Sequence, residues 1–193
     1  MKKLVFATHN KNKLIEVKQL LSKRYEILGL HEIGFEEEII ENKETIIENS
    51  VEKVKYVRDK TGFDCFADDT GLEVNALNGK PGVFSKRFAG SNASSDDNIN
   101  KLLKLLKNKI DRSAQFKTII SLHLNGEIKT FEGICKGKIA CEKMGESGFG
   151  YDPVFIPENK ELSFGQMSMR DKNEIAHRAK AINKLIDYLT NLY

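Results

Sequence analysis

Apolar positions along the chain fall into short continuous runs, which are typical of buried strands, and into repeats at helical spacing. Residues 3–8 form the first run, and a helical repeat follows Asn10, which stands where a helix N-cap belongs. A second helical repeat predicts a helix over residues 45–58, with Gly62 as its stop signal. A strand-type run, which begins at residue 65, comes directly after it. This alternation of strand and helix predicts an α/β fold.

The second half of the chain predicts an antiparallel hairpin and a closing helix. Two apolar runs, 114–124 and 128–139, are separated by an Asn-Gly pair, which is the strongest short-range hairpin signal. Ser95 is expected to cap a helix before this hairpin, and a last helix is expected over residues 172–192. These elements together predict a mixed central β-sheet flanked by helices.

Length and composition indicate one globular unit, so a single domain over residues 1–193 is expected. Charged residues make up 31% of the chain and apolar residues 40%, a balance that argues against disorder. No apolar stretch approaches the length of a membrane span and no secretory signal pattern is present, so we expect a cytoplasmic protein without a membrane partner. The net charge of +3 is too small to demand a nucleic-acid partner.

Strand-type apolar sequence leads two adjacent carboxylates, Asp68 and Asp69, into a turn at Thr70 and Gly71, so the strand is expected to end at this pair. Carboxylates are rarely buried without a partner, and Mg²⁺ takes oxygen ligands that usually include only one or two carboxylates. The pair therefore points to metal-assisted phosphate chemistry. Because strand side chains alternate, only one of the two can face a given cleft, and Asp69 is the better candidate. An alternative interpretation is that the pair caps a turn.

Three further segments combine residue types that suit nucleotide binding. Residues 8–13 join the first predicted strand to a helix N-terminus, which offers unpaired N–H groups to a phosphate. Residues 147–153 contain two glycines around an aromatic residue, a pattern that allows a purine to stack. Lys172, His177 and Arg178 open the last predicted helix and could meet phosphate and a purine edge. Each segment also has an ordinary structural interpretation as a polar cap, a tight turn or a solvated helix face.

The chain resembles the inosine triphosphate pyrophosphatase family in five segments taken in order: FATHNKNKLIEV, TIIENSVEKV, ADDTGLEVNALNGKPGVFSKRFAG, SGFGYDPVF and KNEIAHRAKA. The resemblance extends from the first predicted strand to the last predicted helix. It implies two lobes with a cleft between them and a homodimer. It also implies Mg²⁺-dependent hydrolysis of noncanonical purine nucleoside triphosphates (ITP, dITP and XTP) to the monophosphate and pyrophosphate, which cleanses the nucleotide pool.

The resemblance also implies roles for particular residues. Asp69 matches the general base, which also helps to bind Mg²⁺, and Glu41 falls where a second metal carboxylate is expected. Thr70 stands at a substrate contact that is usually a serine, a change that keeps the hydroxyl group. The implied phosphate-binding residues are Thr8, His9, Asn10, Lys11, Asn12, Lys13, Lys53 and Lys172, and the implied base-binding residues are Phe149, Gly150, Tyr151, Asp152, His177 and Arg178.

The residues also allow a hypothesis for base selection and two alternative functions. Arg178 can donate to the keto oxygen at purine position six, where adenine carries an amino group. One alternative is a Mg²⁺-dependent pyrophosphatase that acts on a modified pyrimidine nucleotide. The other is a nucleotide-sensing or RNA-binding module without catalysis. Asp68 and Asp69 argue against that module, because carboxylates repel phosphate unless a cation intervenes.

Overall fold

The computed structural model describes residues 2–21 and 25–192, and these contain seven strands and five α-helices. The strands are β1 (Lys2–Phe6), β2 (Tyr25–Gly29), β3 (Cys65–Val74), β4 (Pro81–Gly82), β5 (Ser113–Leu124), β6 (Glu127–Ile139) and β7 (Phe155–Pro157). The helices are α1 (Lys11–Leu21), α2 (Ile46–Thr61), α3 (Ser95–Leu105), α4 (Met169–Ile175) and α5 (His177–Asn191). None of the helices in this described part is long and apolar enough to cross a membrane.

The strands form one mixed sheet in the order β2-β1-β3-β5-β6-β7, and β4 also pairs with β3. Strand β1 runs parallel to both β2 and β3, whereas β4 is antiparallel to β3 and β7 is antiparallel to β6. Asn125 and Gly126 connect β5 to β6 with φ angles of 52° and 83°, as a tight hairpin turn requires. The predicted α/β class, with a mixed sheet and an Asn-Gly hairpin, is confirmed.

The chain divides into two compact units, each with its own core. The first unit comprises residues up to 69, 118–133 and those from 178 onward. On one face of its strands the rings of Phe6 and Phe66 stack with their centroids 4.6 Å apart, beside apolar residues of α1 and α5. On the other face, apolar residues of β1 and β3 pack against α2. Helices therefore cover both faces of the sheet in this unit.

The second unit comprises residues 70–117 and 134–177. Its core contains three phenylalanines in mutual contact, Phe116, Phe155 and Phe164, together with apolar residues of α3. The first turn of α3 is held by a capping box, in which the Ser94 hydroxyl accepts from the Asp97 N–H while the Asp97 carboxylate accepts from the Ser94 N–H. The cap is therefore Ser94 rather than the expected Ser95, and the helix begins at Ser95.

Two sequence predictions need correction. Strand β3 does not end at the aspartates but continues to Val74, because its distal residues pair with β4. The expected helix over residues 172–192 is two helices, α4 and α5, separated by Ala176 in an extended conformation (φ −66°, ψ 150°). Ala176 is buried in the core of the second unit, and this packing outweighs the helical periodicity on either side of it. The single domain over residues 1–193 stays a prediction.

Candidate active site

Strand β3 directs its two adjacent carboxylates to opposite faces of the sheet. Side chains alternate along a strand, so Asp68 shares the face of Phe66, whereas Asp69 shares the face of Ala67. The Phe66 face packs against α1 and α5, and the Ala67 face packs against α2. Because different helices cover the two faces, each carboxylate meets its own set of basic side chains.

Asp68 is the centre of a buried network of four charged groups. Its Oδ1 atom accepts from Lys13 Nζ at 2.9 Å, and its Oδ2 atom accepts from Arg178 Nε at 3.0 Å. The same guanidinium donates through Nη1 to the carboxylate of Glu16. Asp68, Glu16 and Arg178 are each no more than 3% exposed. Lys13 and Glu16 lie one turn apart on α1, and Arg178 lies in the first turn of α5.

The environment of Asp68 keeps it ionised. Burial acts against its charged form, but the nearby cations of Lys13 and Arg178 outweigh that effect and hold the pKa of Asp68 well below its usual range. A carboxylate with such a low proton affinity is a poor general base. Asp68 is therefore suited to anchoring the two cations that contact it.

Asp69 lies in a second cluster, which is centred on Lys53 of α2. Lys53 Nζ donates to Asp69 Oδ1 at 3.3 Å and to the backbone carbonyl of Asp68 at 2.9 Å. The same ammonium forms an ion pair with Glu41, which precedes α2 in the chain. Asp69 is 6% exposed, and among the described residues its Oδ2 atom has no hydrogen-bond partner.

The pKa of Asp69 shifts in the opposite direction to that of Asp68. Burial raises the pKa of Asp69, and the Lys53 ammonium offsets this effect only in part. The cluster therefore presents a carboxyl group with increased proton affinity and one oxygen that no side chain or backbone group in the described chain satisfies. These are the properties of a candidate general base.

The carboxylate oxygens around the Lys53 ammonium also fit the ligand preference of a magnesium ion. No group of three or more His, Cys, Asp or Glu side chains that could hold a metal occurs in residues 2–21 and 25–192. The carboxylates of Glu41 and Asp69 nevertheless converge on one cation, the Lys53 ammonium. Mg²⁺ keeps several waters and usually binds through one or two carboxylates together with substrate phosphates. A pair of carboxylates with one unsatisfied buried oxygen matches that preference.

The predicted phosphate segment, residues 8–13, forms the N-terminal cap of α1. Asn10 Oδ1 accepts from the backbone N–H groups of Asn12 and Lys13 at 3.0 and 3.2 Å, and Thr8 Oγ1 accepts from the N–H of Asn10 at 3.1 Å. His9, Asn10, Lys11 and Asn12 are exposed. The Asn10 side chain thus satisfies two of the N–H groups that the sequence predicts to be unpaired, and the exposed helix N-terminus attracts anions mainly through its dipole.

The predicted base-binding segment is held together by Asp152 in the second unit. Asp152 Oδ2 accepts from the N–H of Phe149 and from Lys172 Nζ, each at 2.8 Å. The Lys172 ammonium also lies 5.0 Å from the centroid of the Phe149 ring. A side chain at Gly148 would bring its Cβ within 2.2 Å of Asp152 Oδ2. This close approach, together with a φ of 81°, explains the glycine at that position.

Several predicted residues have partners that the sequence does not indicate. The resemblance implies a phosphate contact for Lys172, whereas the structure pairs its ammonium with Asp152 of the base segment. His177 is buried and its ring stacks on Phe116 with centroids 4.5 Å apart. The other base-segment residues are Gly150, which has a φ of 61°, and Tyr151, whose hydroxyl donates to the Ser85 carbonyl at 2.9 Å.

The structure thus groups the predicted residues into two sets. In the first unit, Lys13 and Arg178 meet at Asp68 on one face of β3, and Glu41 and Lys53 meet with Asp69 on the other. The second unit brings together Phe149, Asp152 and Lys172, and it also contains Thr70, which is half-buried. Sequence reasoning missed Glu16. The sequence does indicate this residue in one way, because it is a charged residue between apolar positions of α1, on the turn that follows Lys13.

Comparison with known proteins identifies close relatives of the chain. Residues 4–188 match the Ham1 family. The dITP/XTP pyrophosphatase of Flavobacterium johnsoniae is 53% identical over 188 residues, which cover 97% of this chain and 98% of that protein. The dITP/XTP pyrophosphatase of Bacillus subtilis is 42% identical over 189 residues, which cover 96% of each chain.

Solved structures show the same fold. The Ham1 protein of Staphylococcus aureus superimposes with a TM-score of 0.90 at 39% identity, and the match covers 100% of both chains. A HAM1 protein from Coxiella burnetii superimposes with a TM-score of 0.91 at 36% identity over 99% of this chain and 100% of that chain.

Proposed function

The chain belongs to the Ham1 family, and from this membership we infer that it is a dITP/XTP pyrophosphatase. It hydrolyses noncanonical purine nucleoside triphosphates to the monophosphate and pyrophosphate. The relatives that match nearly the full chain are dITP/XTP pyrophosphatases, so the resemblance to the inosine triphosphate pyrophosphatase family is confirmed. These relatives also favour a purine substrate over a modified pyrimidine, and an enzyme over a non-catalytic binding module.

The observation that carries the chemical proposal is the buried Asp69 carboxyl group with its unsatisfied oxygen. Asp69 Oδ2 accepts a proton from a water molecule as the water oxygen attacks the α phosphorus. A bond forms between that oxygen and phosphorus, the bond from the α phosphorus to the bridging oxygen breaks, and pyrophosphate leaves. The raised pKa of Asp69 favours this proton transfer, because a general base works best when its pKa approaches the working pH.

Glu41 and Asp69 are the residues that would hold Mg²⁺. When bound, the ion neutralises charge on the phosphate oxygens and so stabilises the leaving pyrophosphate. The chain contributes further positive charge through Lys53 and Lys13, which lie on the two faces of β3, and through the exposed N-terminus of α1. Asp68 keeps the ammonium of Lys13 in place.

The face of the Phe149 ring is the proposed stacking surface for the purine. Asp152 holds the backbone of this residue by accepting from the Phe149 N–H, and Lys172 lies against the ring as a cation. Selection of the keto oxygen by Arg178 stays a prediction. The guanidinium already donates to two carboxylates, so any contact with the base must coexist with that network.

The proposal is tested by measuring pyrophosphate release from ITP, dITP, XTP, GTP, ATP and dUTP, with and without Mg²⁺. We expect the wild type to turn over the first three and to need the metal. Asp69→Asn should lower kcat by about 10²- to 10⁴-fold, the usual contribution of general-base catalysis, when both proteins are assayed under conditions in which circular dichroism shows them to be folded. Asp59→Asn, an exposed carboxylate on α2, is the matched control and should retain full activity.

Two outcomes would contradict the proposal at different levels. A wild-type protein that releases no pyrophosphate from any of these nucleotides would overturn the assigned function. A fully active Asp69→Asn variant would leave the function standing but would remove Asp69 from the mechanism.

We further propose that the chain forms a homodimer, as the resemblance implies, and that it is a cytoplasmic protein that unfolds as a single domain, as its sequence and length indicate. Sedimentation velocity at working concentrations should give a dimer, and unfolding followed by fluorescence and circular dichroism should give coincident transitions. A monomer, or two separate transitions, would contradict these statements.

A further inference from the structure

The Lys53 ammonium is surrounded by acceptors, and two of them belong to the proposed metal ligands. An ammonium group carries three N–H donors. In this structure three acceptors surround it: Asp69 Oδ1 at 3.3 Å, the Asp68 carbonyl at 2.9 Å and the carboxylate of Glu41. Lysine is rarely buried unless it is paired, and Lys53 is only 5% exposed. The ammonium therefore occupies a built site between two carboxylates.

The position of Lys53 on its helix accounts for this arrangement. Val54 and Val57 lie on the buried side of α2 and pack in the core of the first unit, and Lys53 is buried beside them. Lys55, two residues later in the same helix, is exposed, and its Nζ atom lies 3.8 Å from Glu52 Oε1. The chain thus places one lysine at the carboxylates and another of equal charge in solvent.

We propose that Lys53 is the resident counter-ion of the metal site, which bridges Glu41 and Asp69 until a metal-bound nucleotide arrives. This inference rests on the proposed function, and it adds an order of events. A divalent cation that approaches the two carboxylates meets an ammonium already bonded to both, and like charges at that distance repel strongly in a buried site. The nucleotide-free protein should therefore bind Mg²⁺ weakly.

A triphosphate changes this balance because it brings its own negative charge. Its oxygens give the Lys53 ammonium an alternative set of acceptors, and a lysine side chain has enough rotatable bonds to reach them. Transfer of the ammonium from the carboxylates to the phosphates frees Glu41 and Asp69 for the metal. Metal and nucleotide then bind together, and Lys53 couples the two events without forming or breaking a covalent bond.

The test is direct metal binding to the full-length protein without nucleotide. Mn²⁺ is used as the probe, because electron paramagnetic resonance measures the free ion. We expect Lys53→Met to bind Mn²⁺ at least about tenfold more tightly than the wild type, because the competing cation is gone. Lys55→Met, which removes an exposed lysine of α2, should bind as the wild type does. Adding Glu41→Gln to Lys53→Met should abolish the gain.

A second measurement keeps the proposal testable if Lys53→Met does not fold. The melting temperature of the wild type should stay unchanged when Mg²⁺ is added alone, and should rise when Mg²⁺ is added with a non-hydrolysable inosine triphosphate analogue. A clear rise with Mg²⁺ alone would overturn the proposal, as would equal Mn²⁺ affinity in Lys53→Met and the wild type.

These outcomes are separable from failure of the enzymatic function. If the wild type hydrolyses ITP but Lys53→Met binds Mn²⁺ no more tightly, the counter-ion role is wrong and the function stands. If the wild type is inactive on every nucleotide yet Lys53→Met gains affinity that Glu41→Gln removes, the counter-ion role stands and the function is wrong.

Discussion

Replacing Arg178 by methionine tests the buried network around Asp68. The guanidinium donates to Asp68 Oδ2 at 3.0 Å and also to Glu16, and the three side chains are almost completely excluded from solvent. Methionine fills a similar volume but carries no charge. The variant therefore leaves two buried carboxylates without the cation that they share.

The expected cost can be worked out from the remaining contacts. Removing one partner of a buried ion pair destabilises a protein by roughly 3–5 kcal/mol, because the other charge stays buried without compensation. Asp68 keeps Lys13 at 2.9 Å, which argues for a value near the middle of that range, about 4 kcal/mol. Domains are typically stable by about 5–15 kcal/mol, so this loss is a large part of the total.

Urea unfolding measures this loss. With a slope of about 2 kcal/mol per M, the midpoint for Arg178→Met should fall by about 2 M. Adding Glu16→Gln removes one of the two buried carboxylates that have lost Arg178, and it should recover about 1–2 kcal/mol of the free energy of unfolding. Lys180→Met, at an exposed position of the same helix, should change the free energy of unfolding by no more than about 0.5 kcal/mol.

A shared-cation role for Arg178 is contradicted if the free energy of unfolding of Arg178→Met lies within about 1 kcal/mol of the wild-type value, or if adding Glu16→Gln to it lowers stability further. The expected instability of Arg178 variants also matters for measurements of base selection. A change in purine preference on substituting Arg178 reports on the base contact only after the loss of folded protein has been accounted for.

Two further predictions concern acid stability and the aromatic segment. The folded pKa of Asp68 lies below its unfolded value, so its contribution to stability is complete above about pH 4 and is lost as the pH falls further. On acidification, the free energy of unfolding should therefore fall less steeply in Asp68→Asn than in the wild type. Equal slopes against pH would contradict this. Gly148→Ala introduces a Cβ that clashes with Asp152 at a φ of 81°. It should raise KM for ITP several-fold more than it lowers kcat, whereas an unchanged KM would show that Phe149 does not depend on this turn.

Local patterns were sufficient for much of the fold. The hairpin turn at residues 125–126 and the helix start at Asn10 follow from residue chemistry within a few positions, and both agree with the structure. Alternation along β3 also predicts that Asp68 and Asp69 face opposite ways. Which helix covers each face is a tertiary property, so the sequence could not assign Arg178 to one carboxylate and Lys53 to the other.

The misses share a physical cause, because each depends on contacts between distant segments. The apolar positions keep a helical period through Ala176, yet the helix breaks there because that residue packs in the core of the second unit. The pairing of Lys172 with Asp152 joins residues 20 positions apart. Thr70 and Gly71 have the composition of a turn, yet pairing of β3 with β4 keeps the chain extended beyond them.

The two carboxylates of β3 are neighbours on one backbone, and this has a consequence for how the sequence can change. Inserting or deleting a single residue between Phe66 and Asp68 would exchange the faces on which both aspartates lie. Asp68 would then point towards α2 and Asp69 towards α1 and α5, with every charged residue still present. The spacing along this strand is therefore under as much constraint as the identity of the acids, and natural length variation should be confined to other parts of the chain.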